Sequence, residues 1–151
     1  MEEYPVFTNI LIALDGSEVS QRALIEAVDQ ARIWNAKLQA VYIAATIVVD
    51  SLSMDPTFRM NNTFEMERIL EKEGESVLES AKKYCAENGI ILITHMKYGD
   101  AGREIMSLAE QEKFDLIVIG SHGKSDLDRL LIGSVSSFVV THNNVTTMVV
   151  R

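Results

Sequence analysis

Three short segments carry residues that could hold an anion. Asp15, Gly16 and Ser17 follow the apolar run Ile10 to Leu14. Gly120, Ser121, His122, Gly123, Lys124 and Ser125 follow the run Asp115 to Ile119, and Gly133, Ser134, Val135 and Ser136 begin ten positions after Gly123. The last two segments together read G-x2-G-x9-G-S. Glycines let backbone N–H groups turn toward an anion and approach it closely, and a helix starting at Ser134 adds unpaired N–H groups, a positive dipole end and a hydroxyl. Phosphate is the chemistry this set suits. Asp15 alone reads equally as turn chemistry and Lys124 as a solvated charge.

Two familiar nucleotide motifs are excluded by counting. Gly123-Lys124-Ser125 looks like the end of a Walker A loop, but the glycine required five positions before Gly123 is Val118. The first turn holds only Gly16, so the dinucleotide fingerprint G-x-G-x-x-G is missing. His95, His122 and His142 are too far apart in sequence for a local metal pair, and the single Cys85 allows neither a thiolate set nor an internal disulfide. His122 is expected to contribute its backbone more than its ring.

The elements that must position these segments follow from periodicity. Val6 to Leu14 reads as a strand buried on both faces, Ser17 as the cap of a helix reaching Trp34, and Leu38 to Ala45 as a second strand. Residues 46–62 show no period and read as a loop or flap. Asn62 with Glu65 resembles a capping box, opening the longest helix, which ends at Asn88-Gly89. Ile90 to Met96 is a third strand. Asp100 caps a short helix, Asp115 to Ile119 is a fourth strand, and a helix from Ser134 to His142 precedes a last strand, Thr146 to Val150. Strict β-α alternation predicts an open, doubly wound α/β sheet, in which ligands bind outside the carboxyl ends of the strands.

Composition bounds the rest. A chain of 151 residues with 47% hydrophobic and 24% charged residues predicts one soluble domain, residues 1–151. Fourteen Lys and Arg against 22 Asp and Glu give a net charge of −8, which argues against nucleic-acid binding. The start Met1-Glu2-Glu3 lacks a basic signal-peptide region, and the longest apolar run, Val41 to Val49, is too short to span a membrane. A cytoplasmic protein is expected, with no membrane partner.

The stretch Gly120 to Val135 resembles the ATP-binding signature of the universal stress protein family, and the likeness extends over the first strand and turn, the fourth strand and the last strand. That resemblance implies a five-stranded parallel sheet of order 3-2-1-4-5 with helices on both faces, of the adenine nucleotide alpha hydrolase-like kind. It implies that Ala13, Asp15 and Ile43 surround an adenine and that Ile119 and Gly120 lie near a ribose. Gly123, the loop through Ser125, Gly133, Ser134 and Val135 would bind phosphates, with Mg²⁺ held mainly by phosphate oxygens. Ser121, His122, Lys124 and Ser136 fall within the same segments and complete the expected site. The implied order brings Asp15 beside Gly120, whereas a flavodoxin order would bring it beside Gly99. It also puts Thr147 to Val150 at a sheet edge, where a homodimer would form. Two positions depart from the family's pattern: Gly99-Asp100-Ala101 and Asn144-Val145-Thr146 stand where many members carry a proline.

Three functions compete at this point. The first is an ATP-dependent regulatory module in stress response, whose downstream protein partner the sequence does not identify. The second is a slow ATPase or a phosphotransferase acting through Ser134, Ser136 or Ser137. The third is a domain for AMP or another adenylate. Hydrolysis needs a residue that positions water, and only Asp126 and Asp128 lie near the signature as candidates.

Overall fold

A computed structural model describes residues 6–45, 56–123 and 132–151. Five parallel strands, β1 (Asn9–Leu14), β2 (Lys37–Ala45), β3 (Leu92–Gly99), β4 (Leu116–Gly120) and β5 (Thr146–Val150), alternate with four helices, α1 (Glu18–Trp34), α2 (Pro56–Glu87), α3 (Ala101–Glu112) and α4 (Ser134–His142). The strand order is β3-β2-β1-β4-β5. β1 is therefore central, pairing with β2 from Asn9↔Lys37 to Leu14↔Tyr42 and with β4 from Ile10↔Leu116 to Ile12↔Val118.

Both faces of β1 are covered, which is why its run is continuously apolar. Ile10, Ile12 and Leu14 pack with Leu38, Ala40, Val118 and the inner residues of α1 and α2, among them Ala23, Ala27, Leu78 and Cys85. Leu11 faces the other way, into a layer with Val41, Ile117, Ile105 and Leu108 of α3, and Val139 of α4. Two glycines set how closely these layers approach. A Cβ on Gly74 would lie 2.5 Å from Tyr42 Cδ1 and 2.6 Å from Met96 Cε, and one on Gly102 would run into the Phe138 ring. Gly102 thus lets the first turn of α3 sit directly on α4.

Caps fix the helix ends. Ser17 Oγ accepts from Ser20 N–H at 3.1 Å and Asp100 Oδ2 from Arg103 N–H at 3.1 Å, so Asp100 does at the start of α3 what the sequence assigned to it. Three helices end alike. Ala36 N–H reaches Ala31 O, Ile90 N–H reaches Cys85 O and Phe114 N–H reaches Ala109 O, around left-handed Asn35, Gly89 and Lys113, which is the Schellman arrangement. Before β5, the Asn143 side chain donates to Val139 O and accepts Val145 N–H.

Several boundaries differ from the sequence expectation: β1 starts at Asn9 and not at Val6, and β4 is shifted by one residue to Leu116–Gly120. α2 starts at Pro56 and not at Asn62, so part of the expected 46–62 loop is helix, while residues 46–55 lie outside the described residues. Proline is favoured in a first helical turn, where its missing N–H costs nothing. β3 starts at Leu92 and runs on to Gly99. Ile90 is spent on the cap of α2, and Ile91 is 88% exposed between the two elements.

No helix among the described residues is long and apolar enough to cross a membrane.

Candidate functional site

The strand order reverses between β1 and β4, because β2 and β3 lie on one side of β1 and β4 and β5 on the other. A cleft opens at the carboxyl ends of those two strands. It is open to solvent and lies on the α3–α4 side. Ala13, Val41, Ile43 and Ile105 make its apolar floor, while Asp15, Ser20, Gly120, His122, Gly123 and Ser136 supply polar groups around it. Leu14, Ala101, Ile119 and Val135 complete the wall.

Hydrogen bonds hold the rim in place. Asp15 Oδ1 accepts Ser17 N–H at 2.9 Å, and Ser20 Oγ donates to Ser17 O at 3.0 Å. The turn leaving β1 is thereby tied to the start of α1, with Gly16 at φ +84° supplying the left-handed step. On the opposite rim, Ser121 N–H donates to Val150 O at 2.7 Å. Ser121 O accepts both Gly133 N–H and Ser136 Oγ, the latter at 3.0 Å, and Ser136 Oγ also lies 3.1 Å from Gly133 O. These bonds draw the two glycine segments together across the intervening residues. Ser121 Oγ stands 3.1 Å from His122 Nδ1.

α4 starts at Ser134 as expected, with Gly133 as its N-cap, and no side chain among the described residues caps that turn. The N–H groups of Ser134, Val135 and Ser136 belong to the first helical turn, which has no intrahelical partner for them. A helix start of this kind attracts anions.

Of the expected site residues, Ala13, Asp15, Ile43, Ile119, Gly120, His122, Gly123, Val135 and Ser136 surround this one cleft. Ser121 and Gly133 are buried behind it and brace it. Ser134 faces an adjoining cleft with Asp100, Gly102, Arg103, Val135 and Phe138. Lys124 and Ser125 lie outside the described residues, as do Asp126 and Asp128. Residues the sequence did not single out also line the main cleft: Leu14, Ser20, Val41, Ala101 and Ile105. Ala101 comes two residues after the end of the third strand, so it falls where the rule about carboxyl ends applies. Val41 and Ile105 carry only the ordinary signal of core residues.

His95 is not part of this site. It lies toward the other end of the sheet, its Nε2 2.7 Å from Gln39 Oε1, in a chain that continues from Gln39 Nε2 to Asn9 Oδ1. Among the described residues no group of three or more His, Cys, Asp or Glu side chains is arranged to hold a metal.

A second groove, on the opposite face of the sheet between α1 and α2, is lined by Leu24, Val77, Ser80 and Tyr84 among others. It is lined by no lysine, arginine or histidine among the described residues and lies away from the glycine loop.

Residues 7–151 match the model of the Universal stress protein family. The universal stress protein YxiE of Bacillus subtilis is 33% identical over 97% of this chain and all of its own length, and MJ0531 of Methanocaldococcus jannaschii is 32% identical over 97% of this chain and 83% of its own. Among solved structures, UspA of Lactobacillus plantarum superposes with a TM-score of 0.85 at 29% identity, covering 98% of this chain and all of that one. More distant structures share the fold. They include a family protein from Arabidopsis thaliana with AMP bound (TM-score 0.67, 21% identity, covering 94% of this chain and 90% of that one) and a universal stress protein from Archaeoglobus fulgidus in complex with dAMP (0.67, 19%, 97% and 100%). The family match over nearly the whole chain, the strand order and the glycine-rich loop at the β1–β4 switch agree, and the chain belongs to the universal stress protein family.

Proposed function

We propose that the cleft at the β1–β4 switch binds an adenine nucleotide, ATP with Mg²⁺ in the first instance, and that the protein acts as a nucleotide-dependent regulatory module. The observation that carries this reading is the pairing of β1 with β4. It sets Asp15 and the Gly120–Gly123 loop on the rim of one cleft with an apolar floor. An adenine ring needs apolar surface on its faces and a few polar groups at its edge, which Ala13, Val41, Ile43 and Asp15 offer. Phosphates need converging N–H groups, offered by the loop and the uncapped start of α4. Mg²⁺ would arrive on phosphate oxygens, with water filling its shell. The AMP and dAMP bound by the two distant relatives are compatible with this chemistry.

Efficient hydrolysis has weak support. Asp15 is the one carboxylate among the described lining residues, and its Oδ1 is engaged by the turn. Ser136 is buried with its hydroxyl committed to two carbonyls, which disfavours it as a phosphoryl acceptor; Ser134 and Ser137 are exposed. Mass spectrometry of natively purified protein tests the reading: a nucleotide retained in stoichiometric amount without multiple turnover supports the module, and multiple turnover of ATP by clean protein supports the enzyme. Failure to retain or bind any adenine nucleotide removes the reading.

We also propose that β5 pairs with its symmetry mate. β5 is an edge strand of β-branched and apolar residues, and such edges invite pairing. Light scattering at about tens of micromolar, suited to roughly micromolar dimers, should give twice 16.9 kDa. A monomer mass there contradicts the dimer.

A further inference from the structure

We infer that Arg103 reads the phosphates beyond the first, so that the site selects adenosine di- and triphosphate over the monophosphate; this rests on the adenine-nucleotide reading above. The first turn of α3 packs on the second turn of α4 where Gly102 meets Phe138, and a cleft open to solvent lies at that junction, lined also by Ser134 and Val135 at the start of α4. Its lining includes Arg103 and Ser134, and it shares Val135 with the main cleft, whose wall also contains Ala101 and Ser136. The two spaces therefore adjoin. A chain of phosphates leaving the glycine loop along the start of α4 enters the second one.

Arg103 brings positive charge to this junction. The chain as a whole carries −8, which opposes a polyphosphate. Arg103 is the one permanently cationic side chain among the described residues lining either space. It is exposed, and among the described residues it makes no ion pair. Its backbone is fixed at the third position of α3 by the bond from its N–H to Asp100 Oδ2. A guanidinium offers paired donors that match phosphate oxygens in a fork. Asp100 lines the same cleft and opposes an anion there, so Arg103 must outweigh it. The first phosphate is met by the loop and helix N–H groups and lies short of Arg103. A monophosphate is accordingly indifferent to this side chain.

Calorimetry with ATP, ADP and AMP on the full chain, in the presence of Mg²⁺, compares wild type with Arg103→Gln and Asp100→Asn. Melting curves check that both variants fold. Wild type should hold ATP at least about tenfold tighter than AMP. Arg103→Gln should lower ATP and ADP affinity about tenfold, the lower end of what a hydrogen bond to a charged group contributes, and leave AMP unchanged. Asp100→Asn keeps a capping side chain while removing the charge and should tighten ATP several-fold relative to AMP. If Arg103→Gln preserves the ratio of ATP to AMP affinity, Arg103 does not read the outer phosphates, although the nucleotide site stands. If Asp100→Asn leaves that ratio unchanged, the polyphosphate does not enter this cleft. If wild type binds none of the three, the nucleotide reading falls and this inference falls with it.

Discussion

Gly120 at the end of β4 lies so close to Val19 in the first turn of α1 that a Cβ there would stand 2.7 Å from Val19 Cγ1 and 3.3 Å from the Val19 carbonyl carbon. The first glycine of the G-x2-G-x9-G-S pattern thus answers to helix–sheet packing as well as to the rim it helps form. Gly120→Ala should destabilise the fold by about 1–3 kcal/mol, the usual range for overpacking a close contact. Urea denaturation checks this through the midpoint at constant slope. An unchanged midpoint would mean that α1 yields at no cost.

Gly74 makes a second prediction on the same face of the sheet, beneath α2. A methyl there must displace the ring of Tyr42, which is 5% exposed, as well as the end of Met96. Gly74→Ala should cost about 1–3 kcal/mol despite alanine's better helix propensity, since that propensity returns at most about 1 kcal/mol. A thermal melt that moves upward would show that packing is looser than this contact requires.

Lys113, with φ +54°, is a lysine in the left-handed position that closes α3. Such a conformation costs an L-residue roughly 1–2 kcal/mol, and glycine adopts it freely. Lys113→Gly should therefore raise stability, by about 0.5–1 kcal/mol after glycine's greater unfolded-state freedom is deducted. The same chemical denaturation reads the sign directly.

Two polar groups away from the β1–β4 cleft set separate acid-side pH windows. Burial holds His95 below its ordinary 6.5, with Lys97 and Lys37 adding to the effect and Glu112 opposing it. A histidine whose folded pKa is lowered favours the folded state above the unfolded value, so stability should decline as pH falls below 6.5 toward the folded pKa. Asp115 acts lower. Burial alone would raise its pKa, but the bonds from Thr8 N–H, Asn9 N–H and the Thr8 hydroxyl together bring it below 3.8. Its contribution is present above 3.8 and is lost as the pH falls through the folded pKa. Stability against pH for wild type and His95→Gln separates the two: the variant should lose the slope just below 6.5 and keep the fall at lower pH.

Legibility in the sequence divided along physical lines. β1, α1 and α4 were readable because a continuous apolar run, a Ser17 cap and a Gly133-Ser134 start are local signals. The order of the strands was not in the periodicity. Ile10 to Leu14 says only that both faces are covered; which neighbours flank it came from the likeness of Gly120 to Val135 to a family pattern. The start of α2 was missed because the signal used, Asn62 with Glu65, is as acceptable inside a helix as at its end. Ile90 was assigned to a strand because its role as the residue after a left-handed cap depends on the bond to Cys85 O. At the site, the glycine segments and Asp15 were visible by type and spacing. Val41 and Ile105 were hidden among core residues, and Arg103 became visible only when the packing of α3 on α4 set it beside Ser134.

The most direct test of the proposal that the β1–β4 cleft binds a nucleotide is an amide NMR titration of the full chain with ATP and Mg²⁺. Shift changes should concentrate at Asp15, Ile43, Ile119 to Gly123 and Gly133 to Ser136, the residues that line or brace the cleft. The α1–α2 groove, followed at Val77, Ser80 and Tyr84, should stay unchanged. No saturable shifts, or shifts gathered in that groove, would contradict the assignment.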